Sequence, residues 1–500
     1  MKKKMPIIFV TLVALFILTS TYATIAYSYN EKIDNKNVPQ FLKNKFIQII
    51  NKNNFNLKYP RTSNPKIVEK HENFRIIFQA DEFDNIYAYI ETAYEPIVDT
   101  IWLDIISYTQ INSEWSLNVD IPDNTPLELY NLTIIISIDG KFYSSSQPRA
   151  VNIIDHFSDN FTFIHVADFH VGDPRGFAES IKETIGHKSI KKCIEEINLL
   201  KPDFVIFSGD LVFGQLYPRE YTREYKKCYE LLQKFDVPTY LSPGNHDGYC
   251  RISEDGLEIW EEYFGPLYYS FDYGNYHFLS LNSFDWPKFA RRSISCIALN
   301  WGGSIRNEQL QWIEDDLSNN DANLTFMFLH HNPLWDTKNN SLLRWGYNNR
   351  EELLSLIYKQ NVDMVLAGHI HIDNVTIENK TIFITTTTPA SEIRMEDGYW
   401  GFRQIEIKNG KINSYNYKEP KYSIPTYHLN INYENPYTAI VENDLAMDIN
   451  AHLEFIVPLG CYKVNNGDIV SLRNDNYRTH LIVKSKVEKE SLSRITIYSE

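Results

Sequence analysis

Five short apolar runs in the middle of the chain are each followed at once by polar side chains, and this repetition constrains the fold most. The runs read FTFIHVA, DFVIFS, VPTYLSP, LTFMFL and VDMVLA, which is the pattern of buried strands. The polar residues that follow them are, in order, Asp168 and His170; Asp210; Asn245, His246 and Asp247; His330 and His331; His369 and His371. Loops at strand ends are where mostly parallel sheets build their sites. The sequence therefore predicts an α/β fold whose strand-end loops converge on one site.

Helical patterns alternate with these strands. We predict helices over residues 178–200, 221–235, 307–317 and 350–360. The first carries isoleucines at roughly helical spacing, namely Ile181, Ile185, Ile190, Ile194 and Ile197. Such strand–helix–strand repetition predicts a sheet that is covered by helices on both faces.

The regions on either side of this core have a different pattern. Apolar and polar residues alternate between about residues 66 and 154, with Asn, Asp, Pro and Gly between the runs, which predicts an antiparallel β-sandwich of immunoglobulin or fibronectin type. The alternation returns after about residue 422. The predicted organisation is a signal peptide or membrane anchor at 1–26, a polar linker with an edge helix at 27–65, the β-sandwich at 66–154, the α/β domain at 155–420 and a C-terminal β-domain at 421–500.

The start of the chain predicts export. Lys2, Lys3 and Lys4 precede a stretch without charged residues that runs from Met5 to Asn30, which is the layout of a secretory signal. The small residues before Ala26 offer a cleavage site, but the stretch is also long enough to stay in the membrane as an anchor. Secretion and attachment to the outer face of the membrane are therefore both left open.

Composition limits the classes of partner. The chain has 64 acidic and 49 basic side chains, a formal net charge of −15. This balance disfavours a sequence-blind nucleic-acid binder, which needs basic patches. It does not exclude a small phosphorylated substrate, because bound cations dominate the local field. The five cysteines lack metal-type spacing, and buried free thiols are favoured over a disulfide such as Cys250–Cys296.

The donor types in the five loops are those of divalent metal ions. Asp168 and His170 can bind one ion through a carboxylate and an imidazole. Asp210 follows a glycine, which lets the main chain approach closely, so its carboxylate can bridge two ions. His369 and His371 share one side of an extended segment, and each can serve a different ion. Nitrogen and oxygen donors without a thiolate suit Mn, Fe, Zn or Ni.

The ordered set D-x-H, G-D, G-N-H-D, H and G-H-x-H resembles the calcineurin-like metallophosphoesterase superfamily over about residues 161–408. Each piece alone is weak, but the combination is highly specific. The resemblance implies a four-layer α/β/β/α sandwich with a dinuclear metal centre, flanked here by all-β domains. It also implies that the first ion is held by Asp168, His170, Asp210 and His371.

For the second ion, the resemblance implies Asp210, Asn245, His369 and one histidine of the pair His330–His331. The family often writes this last ligand as H-x-P, and Pro333 then indicates His331. The place of His330 directly after the strand favours His330 instead. We prefer His331 on the motif.

The same resemblance implies hydrolysis of a phosphodiester or phosphomonoester by a hydroxide that bridges two divalent ions. His246 would stabilise the transition state or protonate the leaving oxygen. Asp247 could orient His246 by accepting a hydrogen bond from its other ring nitrogen, with a turn or helix-capping role as the alternative. Purple acid phosphatases share the scaffold but use a tyrosine where this chain has Phe213, so an iron–tyrosinate site is not expected.

Two other readings stay open. The first is a cell-surface adhesion or scaffold protein that keeps the fold without using it, and the second is a nuclease or nucleotidase of the same superfamily. Loops at 282–323 and 335–350 leave strands near the site and carry Arg291, Trp301 and Arg306. Loops of this length commonly shape a substrate pocket, but packing and solvated charge explain these side chains equally well.

Overall fold

The computed structural model describes residues 27–29, 55–93, 99–174, 177–180, 183–215, 221–294, 297–335, 346–393 and 398–500. The predicted signal peptide or anchor at 1–26 lies outside these residues, as do most of the linker at 27–65 and Cys296. Among the described helices, none has both the length and the apolar character needed to cross a membrane. Cys193, Cys228 and Cys250 are buried free thiols, and Cys461 is an exposed one.

An all-β region with nine strands comes first. The strands are β1 Tyr27–Tyr29, β2 Asn56–Tyr59, β3 Lys66–Glu69, β4 Asn73–Gln79, β5 Asn85–Thr92, β6 Thr100–Ile111, β7 Glu114–Asp120, β8 Leu129–Ile138 and β9 Lys141–Ile154. Their order is β2-β4-β7-β6-β5-β8-β9-β3, with β1 on β6. The long β6 pairs with β5 through its first residues and with β7 through the rest, so this strand joins the two halves of the sheet. Every second residue of β5 is buried, as the alternating sequence predicts.

Two six-stranded sheets form the centre of the chain. Their strands are β10 Phe161–Val166, β13 Phe204–Ser208, β14 Thr239–Ser242, β15 Tyr269–Tyr273, β16 Tyr276–Ser280, β19 Leu324–Phe328, β20 Met364–Ala367, β21 Asn374–Glu378, β22 Thr381–Thr385, β23 Gly401–Lys408, β24 Lys411–Ser414 and β25 Ile424–Pro425. The first sheet runs β14-β13-β10-β23-β24, with β25 on β23, and the second runs β15-β16-β19-β20-β22-β21. Two short hairpins complete this region: β11 Phe177–Ser180 with β12 Glu183–Thr184, and β17 Ser293–Ile294 with β18 Ile297–Ala298.

Among the described residues, six helices connect the central strands. They are α1 Ile185–Leu200, α2 Tyr221–Leu232, α3 Asn245–Gly248, α4 Gly256–Tyr263, α5 Asn307–Ser318 and α6 Arg350–Lys359. The last two match the predicted ranges. The first predicted helix was wrong at its start, because residues 177–180 pair with residues 183–184 before the helix begins. The second predicted helix was wrong at its end, which lies at Leu232 and not at residue 235.

Apolar contacts show how these elements pack. Aromatic side chains of both central sheets meet in one cluster, where the rings of Phe163 and Phe278 lie 5.6 Å apart, edge to face. On the outer side of the second sheet, Ile313 of α5 and Leu353 of α6 pack in a separate cluster. Residues of α1 and α2 pack against the first sheet. An all-β region thus precedes a centre of two sheets with helices, and the four-layer arrangement stays a prediction.

Seven strands follow the centre and form two smaller sheets. They are β26 Leu429–Asn435, β27 Thr438–Asn443, β28 Ile449–Pro458, β29 Tyr462–Asn465, β30 Asp468–Asn474, β31 Arg478–Val487 and β32 Ser491–Ser499. Their orders are β26-β27-β32-β29 and β28-β31-β30. The buried side chains of β28 belong to the same apolar cluster as those of α1. Arg473 binds Asp99 and Glu128 of the first β region, each at 2.5 Å. The C-terminal strands thus pack against the central region and form ion pairs with the first β region.

Candidate metal centre

Five parallel strands end where the candidate site begins. The last residues of β10, β13, β14, β19 and β20 are Val166, Ser208, Ser242, Phe328 and Ala367. Asp168, Asp210, His330 and His369 each stand two residues beyond such an end, and Asn245 stands three beyond. Because neighbouring strands in each set run parallel, their carboxyl ends share one edge of the sheet. Both central sheets therefore contribute side chains to one site.

The main chain at these positions is unusual. Positive φ angles between 48° and 75° occur at five candidate ligands, namely Asp168, His170, Asp210, His369 and His371. Left-handed backbone costs a non-glycine residue of the order of 1 kcal/mol or more, and it persists where the surroundings enforce it. This conformation turns each side chain sharply after its strand, which brings the donor atoms together at the cost of local strain.

The first group of donors is Asp168, His170 and His371. The Nε2 atoms of His170 and His371 lie 3.5 and 3.3 Å from Oδ1 of Asp168. These two Nε2 atoms lie 3.2 Å from each other. All three side chains are buried, so the group offers one carboxylate and two imidazole donors that are shielded from water.

The second group is Asp210, His330 and His369. Oδ2 of Asp210 lies 2.9 Å from Nε2 of His330, and that nitrogen lies 3.3 Å from Nδ1 of His369. Close by, Oδ1 of Asn245 is buried without a hydrogen-bond partner, because its amide nitrogen donates to the hydroxyl of Tyr249 at 2.6 Å. A buried amide oxygen without a partner is costly, and a cation would satisfy it.

Asp210 connects the two groups. Its Oδ2 atom also lies 3.4 Å from Nε2 of His170 and 4.0 Å from Nε2 of His246. A third set of donor atoms, from His170, Asp210 and His246, is thus as compact as the other two. A carboxylate placed between both groups has the position that a bridging ligand needs.

Main-chain carbonyls fix the ring nitrogens. His330 Nδ1 lies 2.7 Å from the oxygen of Ser208, and His371 Nδ1 lies 2.6 Å from the oxygen of Glu392. A carbonyl only accepts, so both Nδ1 atoms carry the hydrogen and both Nε2 atoms keep a lone pair for a ligand. This outer support is typical of metal-binding histidines.

The carboxylates change how the histidines hold protons. Burial alone lowers the pKa of His170, but hydrogen bonds with Asp168 and Asp210 outweigh burial and raise this pKa to about 9. Burial is likewise outweighed at His330, where the charge of Asp210 raises the pKa to about 9. In contrast, burial and the neighbouring histidines lower the pKa of His369. The site is rich in negative charge that only protons or cations can balance.

His331 does not reach the donor groups, and the preference for His331 from the H-x-P pattern is not supported. Its Nδ1 contacts the hydroxyl of Ser283 at 3.0 Å, and its Nε2 contacts the oxygen of Trp301 at 2.9 Å. Both ring nitrogens are therefore used by the protein. Of the two consecutive histidines, the geometry favours His330 as the ligand.

The hydrogen bonds of Asp247 favour its alternative role as a capping or turn residue over the orientation of His246. Its carboxylate is buried and accepts hydrogen bonds from the main-chain nitrogens of Leu211, Val212 and Gly244, at 2.9, 3.1 and 2.8 Å. The bond to Gly244 is that of a capping side chain in the short helix α3. Asp247 thus braces two of the ligand loops, as the alternative interpretation held. The ring of His246 is held by the main-chain oxygen of Phe213, at 2.5 Å, a partner that no side-chain pattern could reveal.

The arginines of the loop at 282–323 are used for packing. Arg291 donates to both carboxylate oxygens of Asp255, at 2.6 and 3.0 Å, and is buried. Arg306 pairs with Asp285 at 2.8 Å. Most of the second loop lies outside the described residues, including Arg344 and Trp345. These pairings favour a structural role for Arg291 and Arg306 over a role in substrate binding.

Comparison with known proteins agrees with this geometry. The sequence profile of the calcineurin-like phosphoesterases matches residues 161–373. A probable glycerophosphodiester phosphodiesterase (GpdQ) of Arcobacter nitrofigilis is 31% identical over 242 residues, which are 47% of this chain and 80% of that protein. A 3′,5′-cyclic-nucleotide phosphodiesterase of Nostoc sp. is 30% identical over 39% of this chain and 64% of its own length. The DNA double-strand break repair protein Mre11 of Methanocaldococcus jannaschii is 31% identical over 20% of this chain and 28% of its own length.

The chain belongs to the calcineurin-like phosphoesterases. It is a hydrolase that acts on phosphoric ester bonds, as the names of its relatives indicate. Members of this family use a dinuclear divalent metal centre, and the three donor groups described above are candidates for it. The donor atoms, all nitrogen and oxygen, together with the unpaired Oδ1 of Asn245, fit divalent ions of the first transition row.

Proposed function

We propose that the protein is an exported, metal-dependent phosphoesterase that hydrolyses a phosphodiester or a phosphomonoester. The observation that carries the proposal is a pair of facing imidazoles on each side of Asp210. Nε2 of His371 faces Nε2 of His170 at 3.2 Å, and Nε2 of His330 faces Nδ1 of His369 at 3.3 Å. Lone pairs that face each other in a buried site repel unless a proton or a cation lies near both. Carboxylates beside each pair add the negative charge that selects a divalent ion.

In this proposal, Asp168, His170, Asp210 and His371 hold one ion, and Asp210, Asn245, His330 and His369 hold the other. When bound, such a pair of ions lowers the pKa of water and neutralises charge on the phosphoryl oxygens. Asp247 and the carbonyls of Ser208 and Glu392 keep the ligand loops in place before substrate arrives.

His246 has the position of a proton donor to the leaving group. Its side chain is 14% exposed, whereas the side chains of His170 and His330 are 1% and 0% exposed. Its Nδ1 donates to Phe213, so its Nε2 faces the site near Asp210. Held this way, the imidazolium form of His246 can stabilise charge on a phosphoryl oxygen through Nε2–H or deliver that proton to the departing oxygen.

A small or cell-surface phosphodiester is the favoured substrate class. Two of the relatives are named as phosphodiesterases of a glycerol diester and of a cyclic nucleotide. The relatives also include a DNA repair protein, but the net charge of −15 disfavours a polyanionic substrate. The basic and apolar start of the sequence supports export. We also propose that the core has four layers, that the flanking domains are immunoglobulin-like, and that the domains begin at residues 66, 155 and 421.

Side-by-side hydrolysis of an aryl phosphodiester and the matching monoester tests the proposal. Both are followed with Mn²⁺ and with a chelator, for the wild type, for Asn245→Ala and for His71→Ala. His71 is an exposed histidine that pairs with Asp123, far along the chain from the site, and serves as the control. We expect metal-dependent turnover that is lost in Asn245→Ala and kept in His71→Ala, and the faster ester defines the class. Absence of turnover together with absence of bound metal would support the idle scaffold instead.

A further inference from the structure

The ring of His246 is held by the peptide group that joins Phe213 and Gly214. Its Nδ1 donates to the carbonyl oxygen of Phe213 at 2.5 Å. The nitrogen of the same peptide group, that of Gly214, donates to Oε2 of Glu224 at 2.6 Å. Because a peptide group is planar and trans, its N–H and C=O point in opposite directions. A carboxylate that fixes the N–H therefore also fixes the direction in which the carbonyl meets His246.

Glu224 is held tightly between two glycines. It is 6% exposed. A Cβ atom added at Gly172 would lie 2.7 Å from Oε1 of Glu224. Gly172 follows the loop of His170, and Gly214 follows the loop of Asp210. Both glycines have positive φ, 97° and 64°, which side chains rarely adopt. A side chain at Gly172 would therefore clash with the carboxylate of Glu224, whereas one at Gly214 would clash with Tyr221 and with the carbonyl oxygen of His246.

A second side chain of the same helix reaches the main chain of His246. The hydroxyl of Tyr221 donates to the carbonyl oxygen of His246 at 2.5 Å. Tyr221 and Glu224 are three residues apart on α2, so they share one face of the helix. One helix therefore holds His246 at its main chain directly and at its ring through the Phe213–Gly214 peptide.

We propose that Glu224, assisted by Tyr221, is a positioning residue that sets the ring of His246 for proton delivery to the leaving oxygen. The proposal deepens the proposed function and rests on it. Glu224 acts as a hydrogen-bond acceptor and does not contact the reacting atoms. Its removal frees the Phe213–Gly214 peptide to rotate and so loosens the hydrogen bond that holds Nδ1 of His246.

Leaving-group dependence distinguishes this role from a general structural one. A nitrophenolate departs without a proton, whereas a simple alkoxide needs one, so a misplaced proton donor slows the alkyl ester more. For Glu224→Ala we expect kcat to fall by about 10-fold or more on a methyl or benzyl ester and by about 2-fold on the nitrophenyl ester. KM and the content of bound metal should stay at the wild-type level. Glu224→Gln keeps an acceptor oxygen and should restore most of the loss.

Glu230→Ala is the matched control, since Glu230 lies on the same helix, is exposed and pairs only with Lys227 among the ion pairs described for α2. It should behave as the wild type on both esters. If Glu224→Ala does not fold, Tyr221→Phe removes a smaller group and should produce the same leaving-group dependence. An active wild type with equal losses on both esters in Glu224→Ala and Tyr221→Phe would overturn the positioning role alone. A wild type inactive on every ester would contradict the proposed function itself.

Discussion

The amide nitrogen of Asn245 donates to the hydroxyl of Tyr249 at 2.6 Å, and this bond leaves Oδ1 of Asn245 buried and unpaired. Tyr249 thereby decides which end of the amide is available to a cation, since a metal ion accepts the oxygen and not the NH₂ group. The residue comes four positions after Asn245, at the C-cap of the short helix α3. It supports a ligand without belonging to the ligand motif.

Replacement of Tyr249 by Phe should weaken the binding of one ion. Loss of an outer-shell hydrogen bond typically costs about 10- to 100-fold in metal affinity, and the amide of Asn245 becomes free to turn over. Metal titration followed by calorimetry should show one weakened and one unchanged site. Tyr477→Phe alters a tyrosine that is 81% exposed and should leave both sites unchanged. Equal affinities in Tyr249→Phe and the wild type would show that Asn245 is not a ligand.

The pair His330–His331 gives a sharp test of the geometry. His330→Ala should remove bound metal and turnover, because Nε2 of His330 lies among the donor atoms. His331→Ala should keep metal but lower the melting temperature, since Ser283 and Trp301 lose a buried partner. Metal analysis and thermal melting of both variants decide the matter. Loss of metal in His331→Ala alone would restore the preference based on the H-x-P motif.

Metal binding should depend on pH in a defined direction. In the metal-free protein, burial lowers the pKa of His170 and His330, but the carboxylates of Asp168 and Asp210 outweigh it and bring both values to about 9. Below that pH, a cation must displace protons, so metal affinity should rise as the pH rises towards 9. Calorimetry in buffers with different ionisation enthalpies measures the released protons. Uptake without proton release at pH 7 would contradict the proposed ligands.

His277 should make stability depend on pH. It lies between Asp272 and Asp316, at 2.6 and 2.7 Å, and links β15, β16 and α5. Burial lowers its pKa, but these two partners raise it to about 9. A pKa that is higher in the folded state than in the unfolded state stabilises the folded protein. This stabilisation is complete at a pH below the unfolded-state pKa of about 6.5, and it is lost as the pH rises through 9. His277→Gln should therefore lower the melting temperature more at pH 6 than at pH 9.5, and a loss that is equal at both would contradict this.

Much of the site could be predicted because strand ends and ligands lie next to each other in the sequence. Asp168 and Asp210 follow apolar runs that the structure shows as strands, so their meeting follows from the parallel sheet alone. Which of two consecutive histidines turns inward depends on the contacts of His331 with Ser283 and Trp301, neither of which has a local signal. The supports for His246 come from Glu224 and the carbonyl of Phe213, which are contacts made only after folding.

The start of α1 was missed for a related reason. Helical spacing of isoleucines extends back to Ile181, which lies outside the described residues. The described residues on either side of it pair as β11 and β12, and the helix begins at Ile185. A periodic pattern marks a buried face and does not exclude a local strand pairing that competes with the first helical turns.

The C-terminal β region illustrates a further limit. Its alternation predicts strands, but the apolar cluster that its β28 shares with α1 becomes visible only in three dimensions.

Asp210 is common to two donor groups, and its replacement tests the central claim most directly. The measurement is the number of divalent ions per chain in the purified wild type and in Asp210→Asn, with turnover of an aryl phosphodiester recorded on the same samples. A bridging carboxylate predicts that the wild type retains two ions and is active, and that Asp210→Asn loses both metal and turnover. Unchanged metal content and turnover in Asp210→Asn, or turnover by a metal-free wild type, would contradict a dinuclear centre at this site.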